Sequence, residues 1–160
     1  MIQPGEKLNP NFELEIVKNG AVEKVSFASL LTRPTVVSVY MKNNTSSCDK
    51  QTVSLEKEAE WFEKQGIQLV ALSKDTCNSH KKYADKHGLS YVLASDPDSL
   101  FSKATGAIVE KSMYGKSYMA PSRSAFYIDT DGTVLGVIEK ITPAEHAEEV
   151  KTLVEQASQR

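Results

Sequence analysis

Residues 35–72 read TVVSVYMKNNTSSCDKQTVSLEKEAEWFEKQGIQLVAL. Each end, 35–40 and 67–72, is a short run of apolar and β-branched residues. Such runs suit central strands covered on both faces. Between them, Cys48, Thr52, Leu55, Ala59 and Phe62 recur at helical spacing, which predicts a helix over about 47–64. Gln65-Gly66 stops it, with Gly66 as the C-terminal cap. The stretch is therefore a β-α-β unit, and its crossover is expected to be right-handed.

Working outward, Phe12, Leu14 and Ile16 alternate with polar residues, as in a strand with one wet face. Asn19-Gly20 then predicts a tight hairpin into a second strand over 22–27. On the other side, Asp75-Thr76 starts a helix that His87-Gly88 ends. A short strand over 91–94 and a helix from Asp96-Pro97 to about Thr105 follow. Residues 106–121 read as irregular or partly extended. Strands over 124–129 and 133–139 join at Asp131-Gly132, a hairpin signal. Thr142-Pro143-Ala144-Glu145 reads as a capping box with proline at the first helical position. It opens a last helix with Ala147, Val150 and Val154 as its apolar stripe. This order gives an α/β fold of thioredoxin-like type: a central mixed β-sheet flanked by helices, with an N-terminal β-hairpin.

The 160 residues fit a single domain, 1–160. A net charge of −2 leaves no basic stripe for nucleic acid. No stretch is apolar enough to span a bilayer. Residues 1–10 lack a charged start followed by an apolar run, so no secretory leader is expected and the cytoplasm is the default location. Two cysteines cannot build a disulfide framework. No cofactor site is legible. His80, His87 and His146 lack metal-ligand spacing, and solvated or capping roles are expected for them. Gly115-Lys116-Ser117 lacks the first glycine of a phosphate-binding loop, since Glu110 stands there. Asp129-x-Asp131-Gly132 is a hairpin turn rather than a calcium loop.

Cys48 is the residue that carries chemistry. It follows a central strand and lies in the first turn of a helix, the edge where reactive groups of open α/β sheets collect. Free N–H groups and the positive end of the helix favour thiolate over thiol. A free thiol, with a pKa of about 8.5, is only a few per cent ionised at neutral pH. Three residues earlier stands Thr45, not cysteine, which argues against a Cys-x-x-Cys disulfide exchanger. The Thr45 hydroxyl can both accept and donate, so it could face a thiolate and a substrate oxygen together. The plainer alternative is that Thr45, Ser46 or Ser47 caps the helix.

Residues 40–48, Tyr-Met-Lys-Asn-Asn-Thr-Ser-Ser-Cys, resemble the Pro-x-x-x-Thr-x-x-Cys motif of peroxiredoxins. Residues 113–129, MYGKSYMAPSRSAFYID, are similar to the second signature of the bacterioferritin-comigratory, or peroxiredoxin Q, branch of the AhpC/TSA superfamily. Leu72-Ser-Lys-Asp75 with Ser79-His80, and Lys86-His-Gly-Leu89 before Ser95-Asp96, match the same branch. The resemblance implies a thiol-dependent peroxidase acting on hydrogen peroxide and organic hydroperoxides. Cys48 would be the peroxidatic cysteine, Thr45 would bind the peroxide, and Arg123 would stabilise the thiolate and the leaving oxygen. It implies thioredoxin or another thiol reductant as partner, and a monomer or homodimer.

Two departures stand out. Met41 occupies the position of the motif proline, and Ser46-Ser47 replace the branch's Pro-Gly. The branch places a resolving cysteine either where this chain has Val53 or near Tyr83 and Ala84. Cys77 is the remaining candidate. It is expected beyond the neighbouring parallel strand, at the same sheet edge as Cys48. Adjacent strands lie about 4.8 Å apart, and a disulfide needs Cα atoms roughly 4.4–6.8 Å apart, so a bridge is possible after local unwinding of the helix start. The alternatives are resolution by an external thiol, or a peroxide-sensing or interaction protein on the same fold with little turnover.

Overall fold

The computed structural model describes residues 1–158. Strands β1 (Glu13–Lys18) and β2 (Ala21–Ser26) form the expected hairpin. Asn19 and Gly20 take the positive φ values, 51° and 78°, that its two-residue turn requires. The second strand ends one residue early. Ser26 accepts from the Ser29 N–H at 3.1 Å and opens a one-turn helix, α1 (Phe27–Leu30), where the sequence had suggested that the strand runs on to Phe27.

The β-α-β unit is present, with β3 (Thr35–Val39) parallel to β4 (Gln68–Ser73), Val37 facing Val70. Its helical stretch is two helices rather than one: α2 (Ser46–Lys57) and α3 (Ala59–Lys64). They part at Glu58, at φ −113° and ψ 12°. No glycine or proline marks the break, so local propensity gave no sign of it. Then come α4 (Cys77–His87), closed by left-handed Gly88, and β5 (Val92–Ser95), parallel to β4.

The next helix, α5 (Leu100–Thr105), starts later than Asp96-Pro97 predicts. The Asp96 carboxylate reaches forward to accept from the N–H groups of Leu100 and Phe101, at 2.8 and 3.0 Å. Residues 106–121, expected to be irregular or partly extended, hold a hairpin: β6 (Ile108–Met113) and β7 (Lys116–Pro121) form a separate two-stranded sheet. Strands β8 (Ser124–Ile128) and β9 (Val134–Ile138) follow. The predicted capping box does not form. Pro143–Glu145 is a 3-10 turn without a Thr142 side-chain cap, and α6 (His146–Ser158) begins after it.

The main sheet runs β2-β1-β5-β4-β3-β8-β9. Its strands β3, β4 and β5 are parallel and the remaining pairs antiparallel. Alternate residues of the central strands feed opposite faces. Val37, Val39, Val70 and Leu72 pack with Phe27 of α1 and Phe101 of α5. Val36 and Leu69 pack with Leu55 of α2, Phe62 of α3 and Val150 of α6. Coverage on both faces explains why β3 and β4 read as continuous apolar runs. It also anchors the carboxyl end of β3, from which the chain leads to Cys48. No described helix is long and apolar enough to cross a membrane.

Candidate active site

Cys48 is the third residue of α2 and has no solvent exposure. The turn leading to it passes through Asn44 at φ 63°, a left-handed position that asparagine tolerates better than most residues. Thr45 is the N-cap residue, yet its side chain makes no capping bond. Its hydroxyl donates instead to the Lys42 carbonyl at 3.0 Å, which tightens the loop beneath the thiol. The first N–H groups of α2 are thus left without a Thr45 side-chain cap.

Arg123 lies just before β8 and reaches the same point. Its Nη2 donates to Cys48 Sγ at 3.2 Å, and its Nη1 donates to Gln51 Oε1 at 2.9 Å. The guanidinium therefore spans two residues one helical turn apart, a use of its planar fork that lysine could not reproduce. Burial pushes the Cys48 thiol up. The neighbouring Thr45 hydroxyl and the Lys42 and Met41 backbone, together with the Arg123 charge, outweigh it and hold the thiol below its ordinary value. Cys48, Thr45 and Arg123 are brought together as the sequence suggested.

Gln51 was not singled out in the sequence, although it stands three residues after Cys48 and so shares its helix face. It is fully buried, and its Nε2 donates to Ser38 Oγ at 2.7 Å and to the Val39 carbonyl at 3.2 Å. A second set of polar groups ties the site to α4. Tyr83 donates to Asp49 Oδ1 at 2.7 Å and lies 2.7 Å from the Thr52 hydroxyl. The Asn43 N–H donates to Asp75 Oδ2 at 2.9 Å, and Asn43 Nδ2 donates to Ser79 Oγ at 3.0 Å.

The histidines depart from expectation. His80 and His146 are fully buried rather than solvated. Burial lowers both, His146 to about 4, and the Arg123 charge acts in the same direction on His146. His87 stands edge-on to the Tyr83 ring, with 4.7 Å between ring centroids.

Cys77 is the first residue of α4 and is buried, with both cysteines reduced. It lines a groove of its own with Phe12, Leu14, Glu15, Ser95 and Asp96. Burial, and then the Glu15 charge, push its thiol up. The two thiols thus sit in opposite electrostatic settings, one held below its ordinary value and one above it.

Residues 5–137 match the model of the AhpC/TSA family. The peroxiredoxin Bcp of Xanthomonas campestris is 31% identical over 115 residues, covering 72% of each chain. A solved structure of the bacterioferritin comigratory protein of the same species superposes with a TM-score of 0.82 at 26% identity, over 91% of this chain and 92% of that one. PrxQ of Xylella fastidiosa has the same fold, with a TM-score of 0.87 at 24% identity over 99% and 98% of the two chains. A buried thiol at a helix start, an arginine on it and these relatives converge: the chain belongs to the AhpC/TSA family, in its peroxiredoxin Q branch, and is a thiol peroxidase.

Proposed function

We propose that Cys48 is the peroxidatic cysteine and that Thr45 and Arg123 complete its site. The observation that carries this reading is the 3.2 Å contact of the Arg123 guanidinium with a buried sulfur at a helix start. The thiolate attacks the nearer peroxide oxygen. The S–O bond forms as the O–O bond breaks, and the electron pair leaves on the distal oxygen. That oxygen takes a proton and departs as water or an alcohol, leaving a Cys48 sulfenic acid. Arg123 offsets charge first on sulfur and then on the leaving oxygen, where a fixed donor is most effective. The Thr45 hydroxyl, now on the Lys42 carbonyl, turns to hold the peroxide. Because Cys48 has no exposed surface, the loop carrying Met41 and Thr45 must give way to admit it. Alkyl hydroperoxides join hydrogen peroxide as substrates, consistent with the alkyl peroxide reduction studied in the Xanthomonas relative.

For the second half of the cycle we propose condensation of the sulfenic acid with Cys77, releasing water and forming an intramolecular disulfide. Thioredoxin or another thiol reductant then reopens it. Closure requires the start of α2 to unwind and to break the Tyr83–Asp49 and Asn43–Asp75 bonds. It is therefore expected to be slower than oxidation.

One equivalent of peroxide, a sulfenate trap and intact-mass analysis test both halves. Loss of two hydrogens, abolished by Cys77→Ser, supports the Cys48–Cys77 bridge. A trapped sulfenate in the unmodified chain assigns resolution to an external thiol. An unchanged mass over minutes would remove the peroxidatic role from Cys48.

A further inference from the structure

Behind Arg123 a line of buried polar side chains runs through the core to α6. Gln51, Ser38 and His146 have no solvent exposure. Arg123 Nη1 donates to Gln51 Oε1 at 2.9 Å, Gln51 Nε2 donates to Ser38 Oγ at 2.7 Å, and Ser38 Oγ lies 2.8 Å from His146 Nε2. Beyond the ring, His146 Nδ1 has no hydrogen-bond partner. The nearest carboxylate oxygen, on Glu149, stands at 3.6 Å.

We propose that Ser38 and His146 are positioning residues for the thiolate, fixing the Gln51 carboxamide and, through it, the Arg123 guanidinium on Cys48. This rests on the peroxidatic role given to Cys48 above.

The polarity of the chain follows from what each group can do. A guanidinium only donates, so the carboxamide must turn its oxygen to Arg123. Its NH2 then faces Ser38 and the Val39 carbonyl, which only accepts. Ser38 Oγ receives that bond, and because the Glu149 carboxylate facing Nδ1 only accepts, the ring proton is placed on Nδ1 and the Ser38 hydrogen on Nε2. His146 must therefore be neutral. Its low pKa, about 4, keeps it so at neutral pH. The charged groups facing the ring are Glu149 on its own helix and Arg123 from the start of β8. Every donation runs one way, from the arginine to the His146 ring, so a single carboxamide orientation satisfies the line. Without Ser38 the carboxamide NH2 keeps only the 3.2 Å bond to the Val39 carbonyl, and without His146 the Ser38 hydrogen loses its acceptor, so the oxygen facing the guanidinium is held less firmly. A network serving only to hold α6 on β3 would move stability but leave the thiol unchanged.

The test is the pH midpoint of Cys48 alkylation by iodoacetamide in the reduced full-length chain, resolved by peptide mass spectrometry, with the rate of oxidation by hydrogen peroxide alongside. Ser38→Ala and His146→Leu are expected to raise the midpoint by about one pH unit and to slow oxidation at neutral pH about tenfold. His146→Gln, whose carboxamide oxygen can accept from Ser38, is expected to restore both. A folded Ser38→Ala chain with the unmodified midpoint and rate overturns the proposal. Should His146→Leu fail to fold, Ser38→Ala decides alone, since it removes one oxygen from a strand. Failure of the peroxidatic reading shows differently: the unmodified chain would not be oxidised, while the alkylation comparison would still stand.

Discussion

At Cys48 two effects of opposite sign meet. Burial disfavours the thiolate, whereas the neighbouring Thr45 hydroxyl and loop backbone, with the Arg123 charge, favour it, and the second group wins. The rate of peroxide reduction is therefore expected to rise with pH and level off with a midpoint below the ordinary thiol value of about 8.5. Arg123→Ala should move that midpoint up and slow the reaction by about 10²–10³-fold. Arg123→Lys keeps the charge but loses the fork that also engages Gln51, and should fall between. Stopped-flow oxidation across pH checks this; a midpoint unmoved in Arg123→Ala would show that the arginine does not tune the sulfur. Cys48, Thr45 and Arg123 were legible because two short local motifs carry them. Gln51 was within reach of the same reading, one helical turn on. Ser38 and His146 were not: they lie 108 residues apart in sequence, and a histidine gives no local sign of whether the fold will bury it.

At the scale of elements, the start of α6 shows tertiary contact overriding a local motif. Thr142 was expected to cap that helix. Its backbone N–H is instead held by the Glu149 carboxylate at 3.0 Å, and the Ala147 N–H donates to Ser54 Oγ of α2 at 2.9 Å. Ser54→Ala should therefore cost about 1 kcal/mol, while the Thr142→Ala side-chain deletion should stay within about 0.5 kcal/mol. Urea midpoints of the two variants decide, and the reverse order would restore the capping box. Elements written by local signals were legible: the Asn19-Gly20 turn, the Gly88 cap and the buried central strands. The β6–β7 hairpin was not. Its turn places Tyr114 at φ 54° before Gly115, a conformation that tyrosine does not advertise. The late start of α5 was hidden in the same way, because it depends on the Asp96 carboxylate reaching Leu100 and Phe101.

Across the whole molecule, two buried histidines join layers that are distant in sequence. His146 holds α6 against β3 through Ser38, and His80 holds α4 against β5 through the Ala94 carbonyl at 3.0 Å. Burial lowers both below the ordinary histidine value, so between the folded and unfolded pKa values the unfolded chain binds more protons. Their contribution is complete above about pH 6.5 and falls away as pH drops toward the folded values. For His146, the gap between about 6.5 and the folded value of about 4 is worth on the order of 3 kcal/mol once pH is below both. Glu63 and Asp131 are lowered carboxylates, so their losses come at more acid pH. Asp96, raised by burial, works in the opposite direction. Unfolding midpoints in urea should therefore decline between pH 7 and pH 4.5, and less steeply in His146→Gln than in the unmodified chain. A flat profile over that window would mean that His146 takes up its proton without leaving the fold. The Ser38 hydroxyl would then have to turn away from the ring, and the line of bonds reaching Arg123 would open before the protein unfolds.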